Sequence, residues 1–155
     1  MEQDIEKDYG RKTMNVCRAL TIILGLLSLT TGGILYILYR SETLILFKWV
    51  KALGLYDIVS DLRPSKSSDS WLVYSLPDGL WLFAYILLMG ALWNFDSRKS
   101  LLYSAPLVVI AIGSELSQMH HITKGTFDIV DLLCYIVATI AGTIYIKIAH
   151  KLILN

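Results

Sequence analysis

Four long apolar runs, separated by polar segments, dominate the sequence. The first extends from Ala19 to Tyr39 between two arginines, and its length matches the roughly 20 residues that a helix needs to cross the hydrocarbon layer of a bilayer. The other runs cover residues 77–93, 101–118 and 127–148. The pattern therefore predicts four membrane-spanning helices within a single membrane domain that covers residues 1–155.

A further apolar stretch, residues 43–60, contains Lys48, Lys51 and Asp57. Each of these charges costs roughly 2.5–3.5 kcal/mol at the centre of a bilayer, which disfavours a fifth span. The stretch suits a helix that lies in the membrane interface with its lysines turned to water. We therefore predict an interfacial amphipathic helix over residues 43–57.

The composition supports the same fold class, an all-α polytopic membrane helix bundle. Apolar residues make up 55% of the chain, charged residues make up 17%, and the mean hydropathy is +0.56, so membrane lipids are the expected partners. Lys and Arg total 14 against 13 Asp and Glu, which argues against a nucleic-acid partner. No cofactor or metal site is predicted, because no metal or redox spacing includes Cys17, Cys134, His120 or His121.

The basic residues predict the orientation of the chain. With four spans, eight Lys and Arg residues flank the helices on the side of both termini, and six flank them on the other side. Basic flanks favour the cytoplasm, so both termini are predicted to be cytoplasmic.

Small side chains recur along one face of two predicted helices. In the first span they are spaced four, three and four residues apart, which places them on one helix face where another backbone can approach closely. This small-residue stripe consists of Thr21, Gly25, Ser28 and Gly32. Ala138 and Gly142 form a similar line in the fourth span, and both sets are predicted to pack against neighbouring helices.

Carboxylates gather at the side of the membrane opposite the termini. Asp78 stands at the start of the second predicted span, and Asp128 and Asp131 stand at the start of the fourth. A carboxylate at a helix start accepts hydrogen bonds from free backbone N–H groups, but intramembrane carboxylates are also default functional candidates. Capping and ligand binding are equal alternatives for these three residues.

Glu115 differs because it lies near the C-terminal end of the third span, where the helix dipole disfavours negative charge. Gln118 follows three residues later on the same helix face. A carboxylate at this depth needs a partner, and capping does not account for it. The sequence therefore predicts an extracytoplasmic ligand-binding pocket formed by Glu115, Gln118 and the three aspartates.

The segment from Ile112 to Ile146 resembles the VanZ-like family of small bacterial membrane proteins. The matching positions are Glu115, Gln118, Phe127, Asp128, Asp131 and Gly142, and Asp78 resembles the aspartate of a second family motif. The resemblance covers residues 77–146 and implies a protein of the bacterial inner membrane that belongs to the glycopeptide-resistance type. Where the family usually has an arginine before its Phe-Asp pair this chain has Gly125, and Lys124 is the available substitute counter-ion.

Three functional hypotheses follow. The first is a non-enzymatic envelope protein whose acidic pocket binds a lipid headgroup, a cell-wall precursor or an antibiotic. The second is an enzyme that uses the carboxylates as acid and base on lipid-linked substrates, and it ranks lower because no nucleophile or phosphate clamp is recognisable. The third is an effector or helper subunit in defence or immunity that forms homo-oligomers, or joins other membrane subunits, through the small-residue stripe.

Overall fold

The protein is a helical bundle in the computed structural model, which describes residues 2–42, 45–64 and 71–154, apart from the side chains of residues 2–9, 46, 71, 72 and 154. The helices are α1 (Glu2–Tyr39), α2 (Ile45–Ala52), α3 (Tyr56–Leu62), α4 (Trp71–Leu92), α5 (Ser97–Met119) and α6 (Ile129–Leu154), and the described residues form no strand. Four segments are long and apolar enough to cross a membrane: Gly10–Tyr39, Val73–Leu92, Ser97–Met119 and Ile129–Ile153. These observations confirm the all-α, multi-pass architecture.

The start of α4 differs from the sequence prediction. The helix begins at Trp71 rather than at residue 77, and Pro77 lies within its second turn. A proline at this position removes one backbone hydrogen bond, and the Arg40 guanidinium donates to the neighbouring Tyr74 carbonyl at 2.9 Å. Asp78 therefore lies inside the helix, and its interpretation as a helix cap is wrong.

The segment predicted as one interfacial helix over 43–57 contains two short helices, α2 and α3, and residues 43 and 44 lie outside the described part of the chain. Gly54, with φ +69°, ends α2. Its N–H donates to the Lys51 carbonyl and the Leu55 N–H donates to the Val50 carbonyl, which is the Schellman pattern of a helix C-terminus. Helices of eight and seven residues are too short to cross a bilayer, which needs about 20 residues.

Arg63, directly after α3, ties this segment to the C-terminal end of α1. Its Nη1 donates to the Ile37 carbonyl at 3.1 Å and its Nη2 donates to the Arg40 carbonyl at 2.8 Å. The guanidinium also lies over the Phe47 ring of α2, 5.0 Å from the ring centroid. Carbonyls that have no partner within α1 are thus satisfied by a positive charge, which the negative end of the helix dipole favours.

Helix α4 is the centre of the bundle and packs against α1, α5 and α6. Half of the apolar window of α4 is buried, against 17% of the corresponding windows of the other spanning helices. Leu82 and Ile86 of α4 form the core cluster with Ala138 and Ile146 of α6. The other spanning helices expose rows of Leu, Ile and Val, as helices in contact with lipid do.

The small-residue stripe is buried against helices of the same chain. A Cβ atom on Gly32 would lie 2.7 Å from Nε1 of Trp81, and one on Gly25 would lie 3.2 Å from Cδ2 of Leu88. Trp81 Nε1 also donates to the Leu29 carbonyl at 3.2 Å, so its ring is fixed against α1. The stripe therefore serves the α1–α4 interface and is not open to a second copy, contrary to the oligomerisation surface of the third hypothesis.

The line on α6 is buried in the same way. Ala138 is 6% exposed, and a Cβ atom on Gly142 would lie 2.7 Å from Cγ2 of Ile86. The Thr21 hydroxyl, which is fully buried, lies 2.9 Å from the Tyr145 hydroxyl and connects α1 to α6. Small residues thus allow close approach at both interfaces of the central helices.

We predict that Gly32→Ala destabilises the protein while Gly33→Ala does not. The added methyl at Gly32 collides with the fixed Trp81 ring, whereas a Cβ atom at Gly33 meets nothing within 4 Å. Overpacking of this kind costs about 1–3 kcal/mol, and the better helix propensity of alanine recovers about 1 kcal/mol at most. Unfolding in detergent measures both variants, and equal free energies of unfolding would contradict the packing.

Candidate functional site

Four helix ends meet at one end of the bundle. The C-terminal ends of α1 and α5 lie beside the N-terminal ends of α4 and α6, because consecutive spanning helices alternate in direction. A polar cavity of about 330 Å³ opens between them, and it is lined by Arg40, Tyr74, Thr126, Phe127, Asp128 and Asp131. The cavity thus contains acidic and basic groups together.

Arg40 is the residue that sequence reasoning missed. Its Nη2 lies 3.3 Å from Oδ2 of Asp78, forming a salt bridge in which neither side chain is more than a third exposed. Its guanidinium lies over the rings of Tyr36 and Tyr74, 5.5 Å from each centroid. Arg40 therefore supplies the counter-ion expected from Lys124, which is exposed in the loop between α5 and α6.

A signal for this pair exists in the sequence. Arg40 directly follows one predicted span and Asp78 opens the next span on the same side of the membrane. Opposite charges at adjoining helix ends in a low-dielectric setting attract each other strongly. The α2–α3 segment, which separates the two residues along the chain, obscured the pairing.

Glu115 is 6% exposed and accepts a hydrogen bond from the backbone N–H of Asp128, at 3.3 Å from Oε2. This N–H stands immediately before α6, at the positive end of the α6 dipole. The expectation that capping does not account for Glu115 is therefore wrong, because Glu115 caps a neighbouring helix instead of its own. Asp128 itself accepts from the Val130 N–H at 2.8 Å, which is an ordinary N-cap contact.

Asp131 and Arg40 each contribute an unsatisfied polar atom to the walls of the polar cavity. Oδ1 of Asp131 and Nε of Arg40 are buried, and neither has a hydrogen-bond partner among the described residues. Buried polar groups are normally paired, and an unpaired one carries a desolvation cost of about 1–3 kcal/mol. One acceptor and one donor thus remain available in the same cavity.

Gln118 lies apart from the cavity and packs against the α5–α6 loop. A Cβ atom on Gly125 would lie 2.7 Å from Cδ of Gln118, and Gly125 has φ +144°, which disfavours other residues. Gly125 is thus required by the loop itself, at the position where the VanZ-like family usually has arginine. Of the predicted pocket residues, Asp128 and Asp131 line the cavity, Asp78 reaches it through Arg40, and Glu115 reaches it through the Asp128 backbone.

His120 and His121 are exposed after the end of α5. Within the described part of the chain, His, Cys, Asp and Glu residues form no group of three or more that could hold a metal ion. The chemistry that the cavity offers is hydrogen bonding and ion pairing with a ligand that carries both charges.

Comparisons of the chain with protein-family models, with curated proteins and with solved structures find no match. The resemblance to the VanZ-like family stays a prediction.

We predict that Arg40→Ala destabilises the protein more than Asp78→Asn does. Removing the guanidinium leaves the Asp78 carboxylate unpaired and removes the donor to the Tyr74 carbonyl, whereas Asp78→Asn leaves that second contact in place. Breaking a fully buried pair costs about 3–5 kcal/mol and an exposed pair under about 1 kcal/mol, so this partly exposed pair falls between the two values. Unfolding in detergent measures the difference.

Lys124→Ala is the control for Arg40→Ala, because Lys124 is an exposed cation at the same end of the bundle. Its effect is expected within about 0.5 kcal/mol of zero. Equal losses for Arg40→Ala and Lys124→Ala would contradict the counter-ion assignment.

Proposed function

We propose that this protein is a non-enzymatic membrane protein of the bacterial envelope whose polar cavity binds the polar headgroup of a lipid, a lipid-linked cell-wall precursor or a cationic antibiotic. The observation that carries the proposal is the pair of unsatisfied groups in the cavity wall, Nε of Arg40 and Oδ1 of Asp131. A ligand with a hydrogen-bond acceptor and a cationic donor satisfies both of them.

The position of the cavity supports a headgroup as the ligand. The cavity lies where apolar helices end, so it stands at the depth at which lipid headgroups meet the hydrocarbon layer. A membrane-embedded ionisable residue that faces a cavity is a functional candidate by default. The excess of Lys and Arg on the side of the termini favours placing this end outside the cytoplasm.

The resemblance to the VanZ-like family supports an envelope role that affects susceptibility to glycopeptide antibiotics. The geometry favours binding over catalysis, because the carboxylates that an acid–base mechanism needs are already engaged. Asp78 pairs with Arg40, Glu115 accepts from a backbone N–H, and Asp128 caps α6.

We predict that Asp131→Asn weakens ligand binding about 10-fold, because it removes one charge-assisted hydrogen bond worth about 1.5 kcal/mol. Native mass spectrometry of the detergent-solubilised protein measures binding of phosphatidylethanolamine, phosphatidylglycerol, lipid-linked peptidoglycan precursor and teicoplanin. At least one of these probes is expected to bind in a manner that depends on Asp131.

The matched control is Asp96→Asn, the same substitution at the opposite end of the bundle. Asp96 caps α5 by accepting from the Arg98 and Lys99 N–H groups, and the Lys99 contact lowers the pKa of its carboxyl. Asparagine caps a helix about as well as aspartate, so binding is expected to be unchanged. Failure of all probes to bind, or equal weakening by both variants, would overturn the proposed function.

A further inference from the structure

A second cavity, of about 630 Å³, lies between α4 and α6. Its lining is apolar along both helices and consists of Leu76, Gly79, Leu80, Phe83, Val130, Leu133, Cys134, Val137, Ala138 and Ala141. We call it the α4–α6 groove. Its volume falls within the range of about 300–1,000 Å³ that ligand sites occupy.

The α4–α6 groove begins where the polar cavity ends. On α6, Val130 of the groove stands between Asp128 and Asp131 of the polar cavity. On α4, Leu76 of the groove stands two residues after Tyr74 of the polar cavity. The two cavities therefore adjoin at the same turns of both helices and form one site with a polar end and an apolar end.

The length of the groove matches one leaflet of a bilayer. On α6 it extends from Val130 to Ala141, which is ~17 Å at 1.5 Å per residue, and half of the hydrocarbon layer is ~15 Å thick. Gly79, Ala138 and Ala141 keep the groove open because larger side chains at these positions would enter it. A single acyl chain fits this length and polarity.

The polar end specifies the headgroup. Nε of Arg40 can donate to an anionic oxygen, and Oδ1 of Asp131 can accept from an N–H group. A phosphate followed by a primary ammonium supplies both partners, whereas a trimethylammonium group has no N–H to donate and a glycerol headgroup has no cation. The charge pattern therefore matches one class of phospholipid.

We propose that the site binds a phospholipid with a primary-amine headgroup of the phosphoethanolamine type, with one acyl chain in the α4–α6 groove, its phosphate on Arg40 and its ammonium on Asp131. This inference rests on the proposed function for the polar end and adds the chain site and the headgroup selectivity. It makes the α4–α6 groove a lipid site rather than an interface with a second copy of the chain.

The test compares lipids that have identical acyl chains and different headgroups. Native mass spectrometry of the detergent-solubilised protein is expected to show phosphatidylethanolamine binding about 10-fold more tightly than phosphatidylcholine or phosphatidylglycerol. Lysophosphatidylethanolamine, with one chain, is expected to bind nearly as well, and glycerophosphoethanolamine, with none, at least 100-fold more weakly. Equal binding of the three diacyl lipids would overturn the headgroup assignment.

The matched variants are Ala141→Phe, which fills the α4–α6 groove, and Ala105→Phe, which adds the same bulk to an exposed position of α5 outside it. Ala141→Phe is expected to weaken phosphatidylethanolamine binding at least 10-fold, and Ala105→Phe to leave it unchanged. A dimer that Ala141→Phe abolishes would overturn the proposal in favour of a second copy in the groove.

The outcomes separate this inference from the proposed function. If glycerophosphoethanolamine binds as tightly as the intact lipid and Ala141→Phe has no effect, the groove assignment fails and headgroup binding stands. If Ala141→Phe weakens binding and Asp131→Asn does not, the groove holds chains without a headgroup site and the proposed function fails together with the headgroup assignment.

Discussion

The guanidinium of Arg40 is the contact on which the polar end of the bundle depends. It pairs with Asp78 and donates to the Tyr74 carbonyl, so it connects the end of α1 to the second turn of α4. Arg63 in turn donates to the Arg40 carbonyl, which attaches the α2–α3 segment to the same point. In surroundings of low dielectric, carboxylates gathered without a cation would repel one another and lose their ionised form. Arg40 thereby allows acidic groups to stand together at this depth.

Helix packing brings Arg40 to its partner. Gly32 stands about two turns before Arg40, and Trp81 stands about one turn after Asp78, so the closest approach of α1 to α4 adjoins the salt bridge. The absent side chain at Gly32 leaves room for the Trp81 ring, and the Trp81 N–H secures that ring to the Leu29 carbonyl. Small-residue packing in the membrane and charge pairing at its surface are therefore parts of a single interface.

The sequence predicted those features that depend on periodicity and on the number of spans. The apolar runs located the spanning helices, the spacing from Thr21 to Gly32 located the packing face, and the alternating direction of the helices placed the carboxylates at one end. The split of the predicted interfacial helix also had a signal, since Gly54 followed by Leu55 is typical of a helix C-terminus.

Other features could not be predicted because their partners carry no sequence pattern. Glu115 accepts from a backbone N–H group, which every residue except proline has, and only the fold brings that group beside it. Pro77 suggested a helix start, although tertiary contacts of the preceding turn retain the helix. Arg40 and Asp78 are separated by 38 positions, and the intervening α2–α3 segment hid their proximity.

The central claim is that Arg40 and Asp131 hold a polar headgroup between them. An experimental structure of the protein in a bilayer that contains phosphatidylethanolamine tests it most directly. The account predicts lipid density with its headgroup within hydrogen-bond distance of Arg40 Nε and Asp131 Oδ1 and with one chain in the α4–α6 groove. Arg40 and Asp131 paired with each other across a closed cavity, with lipid bound elsewhere, would contradict it.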